Sequence, residues 1–195
     1  NIDVNCPLGT GWDNEIRSVA MIVVGGSGIC TGALINNSCS DGTPYFLTAN
    51  HCLGGSTGSW AFRFNWQSPP GTESCATTAG STDPGPPYDQ TANGATTLVN
   101  SGASDYALLE IDNMSLSDAQ NWNCYFAGWD ASDLTTVTEA TGIHHPSGDV
   151  KKICRENDAP FHSNAGGAAV WYINQWEEGV TEPGSSGSPL FDQNH

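Results

Sequence analysis

The chain has 195 residues, of which 37% are apolar and 13% charged, and its 5 Lys and Arg against 21 Asp and Glu leave a net charge of −16. That is enough apolar material for one large domain or two small ones, and the spread of seven Trp, six Phe and five Tyr excludes a disordered chain. So acidic a surface repels phosphate backbones and anionic lipid heads, which argues against nucleic-acid or membrane partners, and the longest apolar run, Val19 to Val24, is too short to span a bilayer.

In chain order, short apolar or alternating runs read as strands: Ser18 to Val24, Gly32 to Ile35, Tyr45 to Thr48, Trp60 to Trp66 and Tyr106 to Ile111. Cys124 to Trp129, Ala168 to Ile173 and Ser188 to Phe191 follow in the second half. Gly, Pro, Asn and Ser clusters separate them, and no long stretch holds a helical period. Segment 67–104 reads as long surface loops, and the polar stretch 112–122 as a link between two halves. The expected class is all-β, with residues 1–112 forming one half and 113–195 a linker and a second half. Ile22-Val23-Val24-Gly25-Gly26 reads as a strand and a turn within the first half.

Seven cysteines in a chain of few charges point to an oxidising, extracellular compartment. The chain opens on Asn1 with no basic-then-apolar leader, so a processed signal segment is expected. The odd count leaves one thiol free or paired with another polypeptide.

Three stretches carry chemistry. An apolar strand runs into His51 and Cys52, Asp105 opens the apolar run to Glu110, and Gly184-Ser185-Ser186-Gly187-Ser188-Pro189 places serines between glycines. Each alone has a plainer reading, as a structural histidine, a strand cap and a flexible turn. Together they hold the parts of nucleophilic acyl transfer. A serine hydroxyl needs a base within reach, a neutral His is that base near pH 7, and a carboxylate on its other nitrogen fixes the tautomer. Glycines beside the nucleophile let backbone N–H groups converge on an oxyanion.

With these motifs the chain resembles the chymotrypsin-like serine proteases, and within them the secreted bacterial lysyl endopeptidases. Thr48-Ala49-Asn50-His51-Cys52 is similar to that family's Thr-Ala-x-His-Cys, Asp105-Tyr106-Ala107-Leu108-Leu109 to its Asp-x-Ala-Leu-Leu, and Gly184 to Pro189 to its Gly-Asp-Ser-Gly-Gly-Pro. Cys30-Thr31-Gly32-Ala33-Leu34-Ile35, Asn1 to Val4, His144-His145-Pro146 and Gly179 to Gly184 extend the likeness over almost the whole chain. The resemblance implies two antiparallel six-stranded β-barrels, the second incomplete in this chain, with the site in the cleft between them. It implies His51, Asp105 and Ser186 as the catalytic residues, the amides of Gly184 and Ser186 as the oxyanion hole, and bridges Cys30–Cys52 and Cys6–Cys75. Cleavage of peptide or protein substrates after Lys is the expected activity. The alternatives are broader Lys/Arg or other specificity, or a binding module or inactive fragment on the same scaffold.

Two departures bear on that expectation. Ser185 stands where the family pattern has Asp, which in the trypsin type pairs with a new N-terminus, so no such switch is expected. The strands that follow the nucleophile, with the pocket carboxylate that reads lysine, are expected beyond His195. A further C-terminal polypeptide is therefore expected to complete the second barrel and to offer a partner to Cys39, with Cys124–Cys154 bridged. No cofactor is required for this chemistry. Acidic turns at Asp83 to Asp89 and Asp130 to Asp133 are the candidates for a structural Ca²⁺, although they lack the ligand spacing of a dedicated loop. His144 and His145, followed by Pro146, read as loop residues and not as metal ligands.

Overall fold

The unbroken apolar run Val19 to Val24 forms a strand whose two faces are both covered. In the computed structural model, which describes residues 1–70, 75–77, 88–132 and 136–195, this is β2 (Val19–Val24). Ala20 and Ile22 face one core, while Val19 faces a second and Met21 and Val23 a third. A strand buried on both sides has no polar face to alternate with, which is why the sequence shows none.

Around β2 runs an antiparallel sheet with β3 (Ser27–Leu34), β4 (Tyr45–Thr48), β5 (Ala61–Phe64), β6 (Thr91–Asn93), β7 (Ala95–Ser101) and β8 (Tyr106–Ile111). Its order is β6-β5-β2-β3-β4-β8-β7. The two edge strands are one stretch of chain bent at Gly94 (φ +75°), whose N–H donates to Trp60 O and whose carbonyl accepts from Asp112 N. The sheet thus closes on itself, and its seven strands are six chain runs around the core of Phe46, Phe62, Trp60 and Leu109. A Cβ at Gly94 would also crowd Asp112 Oδ2 and Gly58 O, so glycine suits both the angle and the space. Gly25 and Gly26 make the expected turn after β2.

The second sheet orders β1 (Ile2–Asp3), β10 (Lys152–Glu156), β9 (Ala140–His144) and β13 (Leu190–Phe191). A hairpin of β11 (Phe161–Ala165) and β12 (Ala168–Tyr172) stands beside it as its own two-stranded sheet. The amino-terminal segment belongs to this half: β1 pairs with β10, and Val4, Trp12 and Ile16 share a core with Ile143, Ile153 and Phe191. Residues 1–112 therefore give their first turn of chain to the second sheet. In the β1–β10 register, Ile2 lies opposite Ile153, while Asp3 lies opposite Lys152 and pairs with it at 2.5 Å, both fully buried. Asp3 also accepts from Ser68 Oγ and Ala76 N, and Lys152 lies 3.4 Å from Asp149. Lys151 is buried as well, its Nζ donating to Ile16 O at 2.6 Å, and burial lowers its pKa to about 7.

The structure corrects four readings. Segment 67–104 contains β6 and β7, Thr- and Asn-rich strands that hydrophobic alternation does not reveal. The link 112–122 contains α2 (Leu116–Asn121), closed by a capping box of Ser115 and Asp118; the other helix is α1 (Asp13–Ser18). Cys124 to Trp129 is not a strand: Asn123 takes a positive φ, and only Ala127 forms a bridge, to Ile35. His144 ends β9, and both it and His145 are buried instead of lying in an open loop.

Cys6–Cys75 and Cys30–Cys52 are disulfides. Cys124–Cys154 is not formed, and Cys39, Cys124 and Cys154 are free thiols. On β10 the Ile153 side chain faces the core, so Cys154 faces the opposite way, over Gly142, while Cys124 packs against the first barrel. Among the described residues no helix is long and apolar enough to cross a membrane.

Candidate active site

β4 carries the chain into a single 3₁₀ turn, Asn50–Cys52, which turns His51 out of the first barrel beside the Cys30–Cys52 disulfide. Asp105 sits in the turn before β8 with φ +52°, a conformation Asp tolerates better than most side chains. Its carboxylate meets His51 twice, at Oδ2 with the ring Nδ1 (2.7 Å) and at Oδ1 with the backbone N–H (2.8 Å). A carboxylate only accepts, so Nδ1 carries the proton and Nε2 keeps a free lone pair. Partial burial works to raise the Asp105 carboxyl, but the His51 hydrogen bonds outweigh it and hold the group below the usual carboxylate range. Both side chains are about half exposed, as a pair that must meet a substrate requires.

Ser186 reaches the same place from the other half. Its carbonyl accepts from Thr31 N on β3 (2.8 Å) and lies 3.9 Å from Cys52 Sγ, and that sulfur is within 4.8 Å of a His51 ring nitrogen. Gly187, at φ +82°, lies so close to β3 and β4 that a Cβ would fall 2.2 Å from Thr48 Oγ1 and 2.4 Å from Thr31 O. Gly187→Ala is therefore expected to cost at least about 2 kcal/mol and to lift the serine from the cleft. Denaturant unfolding midpoints would check this, and an unchanged midpoint would refute the close packing.

Backbone geometry leaves two donors free in the serine loop. A trans peptide points its carbonyl and its N–H in opposite directions. Pro183 O is taken by Ser147 N (2.6 Å), and Ser185 O by Ser188 N (3.0 Å). The Gly184 and Ser186 N–H groups on the far sides of those peptides have no acceptor among the described residues. Two partnerless amides flanking a half-buried serine are what an oxyanion site needs. Gly184 (φ +96°) admits no side chain, since a Cβ would lie 2.9 Å from His145 O and Ser147 N.

The loop is tied from behind by contacts that the sequence did not disclose. Thr31 Oγ1 donates to Gly184 O and accepts from His145 N, and Thr48 Oγ1 donates to Thr31 O. Ser185, in place of the family's Asp, is buried, with Oγ accepting from Glu182 N and lying 2.8 Å from His144 Nδ1. Burial, helped by the amino-terminal and Lys152 charges, pushes His144 down to about 4. A group held neutral in the fold and titrating normally in the unfolded chain binds more protons there. Its contribution is complete above about pH 6.5 and fades as pH falls through about 4. Unfolding free energy measured across that window should fall more steeply for this protein than for His144→Asn. Parallel curves would show that His144 does not titrate as placed.

Cys30, His51 and Cys52 come together, but both sulfurs are consumed in the disulfide and cannot bind a metal as thiolates. Of the acidic turns, 83–87 and 133 lie outside the described residues, and Asp130 Oδ1 accepts from Ser132 N and Oγ as an ordinary turn. Glu156, Asp158 and Glu177 bring carboxylates within 4.8 Å of one another at the end of β10, a cluster the sequence reading missed.

The family model described as lysyl endopeptidase, C-terminal domain, matches residues 1–195. A lysyl endopeptidase of Pseudomonas aeruginosa is 28% identical over 206 residues, covering 97% of this chain and 41% of that protein, so the chain spans less than half of that relative. Among solved structures, a thermostable serine protease, AL20, from an extremophilic microorganism aligns with TM-score 0.55 at 14% identity, over 93% of this chain and 81% of that one. The MamO protease domain of Magnetospirillum magneticum gives 0.54 at 11%, over 94% and 82%. Human heparin binding protein gives 0.55 at 14%, over 92% and 77%. At these identities the structures speak for the fold, that of the chymotrypsin-like serine proteases, and not for an activity.

Proposed function

Since the chain belongs to the lysyl endopeptidase family, we propose that it is the catalytic domain of a secreted serine endopeptidase that works through an acyl-enzyme. The observation that carries this reading is a hydrogen-bonded His51–Asp105 pair and a serine with two partnerless amides placed on either side of the Cys52 sulfur. In this reading His51 Nε2 takes the Ser186 proton as Oγ attacks the scissile carbonyl. Asp105 holds the ring in the tautomer that leaves Nε2 basic and steadies the imidazolium. The carbonyl oxygen, as it gains charge, moves onto the N–H groups of Gly184 and Ser186. His51 then returns the proton to the departing amine, and water repeats the sequence on the ester.

The substrate is a peptide or protein, and the proposed cut follows lysine. Family membership supports that choice, and the net charge of −16 draws cationic chains toward the cleft. Two disulfides support an extracellular setting. We also propose that further C-terminal chain completes the second sheet. Among the described residues β13 pairs only with β9, and Leu190 and Trp129 stand exposed beside a cavity of about 580 Å³ that Trp171 and Phe191 also line.

Digesting a mixed protein substrate and sequencing the new ends tests the reading. Ends gathered after lysine, blocked by a serine-directed fluorophosphonate, are expected. Ends spread over Lys and Arg would move the specificity to a broader trypsin-like one, and no cleavage with no labelling would leave a binding module on a protease scaffold.

A further inference from the structure

The segment His144-His145-Pro146-Ser147-Gly148 touches no part of the His51–Asp105 pair, yet it lies directly behind the nucleophile loop. His144 is fully buried at the end of β9, with Nδ1 on Ser185 Oγ at 2.8 Å and Nε2 without a partner among the described residues. His145 presents its N–H to Thr31 Oγ1, the hydroxyl that in turn donates to Gly184 O. Ser147, held at φ +54°, donates its N–H to Pro183 O and its Oγ to Glu182 Oε2. The carbonyls of Pro183 and Gly184 are thus held by this turn, directly or through Thr31, and the side chains of Glu182 and Ser185 bond to it as well.

The protonation pattern follows from counting donors. Ser185 Oγ already accepts the Glu182 N–H, and it has one proton to give. If His144 carried its proton on Nδ1, both the serine proton and the Nε2 lone pair would be left without partners. If it carries the proton on Nε2, only that one N–H is unmet. Ser185 therefore donates to His144, and the hydroxyl is fixed in both roles. An unmet buried N–H is a cost, and the fold keeps it in a side chain that acts on nothing except Ser185.

We infer that His144 is a positioning residue for the reaction proposed above: through Ser185 it fixes the peptides whose Gly184 and Ser186 amides receive the oxyanion. A neutral imidazole–hydroxyl bond thereby holds the residue preceding the nucleophile, where a carboxylate would need a buried cation. The inference depends on the serine-protease reading, and the test separates the two.

The variants are His144→Leu, His144→Asn, Ser185→Ala and the double change His144→Leu with Ser185→Ala, in the full-length protein, with kcat and KM measured on one peptide substrate. His144→Leu and Ser185→Ala should each lower kcat by about 10²-fold, the scale of a small misplacement of reacting groups, with KM within about threefold. The double variant should be no slower than the worse single one, because His144 acts only through Ser185. His144→Asn, whose amide oxygen can accept the Ser185 proton in place of Nδ1, should recover most of the rate. Ser185→Ala removes only one oxygen and keeps the test available should His144→Leu fail to fold, and thermal unfolding identifies that case. Unchanged kcat in Ser185→Ala, losses that multiply in the double variant, or no recovery with Asn would overturn the inference while leaving the protease reading intact. Absence of turnover in the unaltered protein would overturn both.

Discussion

Replacing Ser186 by alanine is expected to lower kcat by about 10⁶-fold while leaving stability within about 0.5 kcal/mol. The size of the first effect comes from the loss of the only atom that, in the proposed mechanism, bonds covalently to substrate. The smallness of the second comes from geometry, because Ser186 Oγ makes no hydrogen bond among the described residues and its removal leaves nothing unpaired. The preceding serine cannot take over. Ser185 Oγ is buried and engaged by Glu182 and His144. The residual rate should come from the two amides and binding alone, so it should still exceed the uncatalysed reaction by about 10³-fold. Retained turnover in Ser186→Ala, with folding intact, would remove Ser186 as the nucleophile.

The largest effect on stability is expected at the buried Asp3–Lys152 pair. Asp3→Ala removes the nearer carboxylate from a fully buried ammonium, which keeps Asp149 at 3.4 Å, and should cost about 3–5 kcal/mol in denaturant unfolding. Changing both residues to apolar ones, Asp3→Leu with Lys152→Met, should recover much of that loss, since the desolvation of both charges then disappears. Ser68 and Ala76 N, which lose their acceptor, keep the recovery incomplete. A loss below about 1 kcal/mol in Asp3→Ala would mean that the ion pair is not closed in solution. The effect should appear in the second sheet first, where β1 is an edge strand pinned by this pair.

How far the sequence disclosed the molecule depended on which physical signal each element carries. β2, β4 and β8 announce themselves because their burial is made of Val, Ile, Leu and Phe. β9 and β10 hide because Thr141, His144 and Lys152 are buried within them and Lys151 just before β10, so alternation of apolar and polar residues does not report the fold. β6 and β7 hide for a different reason. They give only the small Ala92 and Ala95 to the core, and β7 leaves Leu98 and Val99 exposed, so neither alternates clearly between apolar and polar residues. The run Cys124 to Trp129 misleads in the opposite direction, apolar without a pairing partner beyond one bridge. The site was legible where its chemistry sits in adjacent residues, at His51-Cys52, Asp105 and Gly184 to Ser186. It was not legible where backbone meets backbone between residues far apart in the chain, as at Thr31 N with Ser186 O or Ser147 N with Pro183 O. No residue type is needed for a backbone donor, so no residue pattern marks one.

The burial of both lysines has a consequence for the lifetime of the protein. Lys151 and Lys152 are the only lysines in the chain, and neither exposes any side-chain surface. An endopeptidase that cuts after lysine would find no site on its own folded domain, however concentrated the solution. Self-digestion must pass through molecules that have opened β10, so its rate follows the population of that open state, not the encounter of two folded copies. Each kcal/mol lost at Asp3 would then shorten the working life of the enzyme in proportion to the opened fraction, and the ion pair that fastens the amino-terminal strand would double as a guard against autolysis.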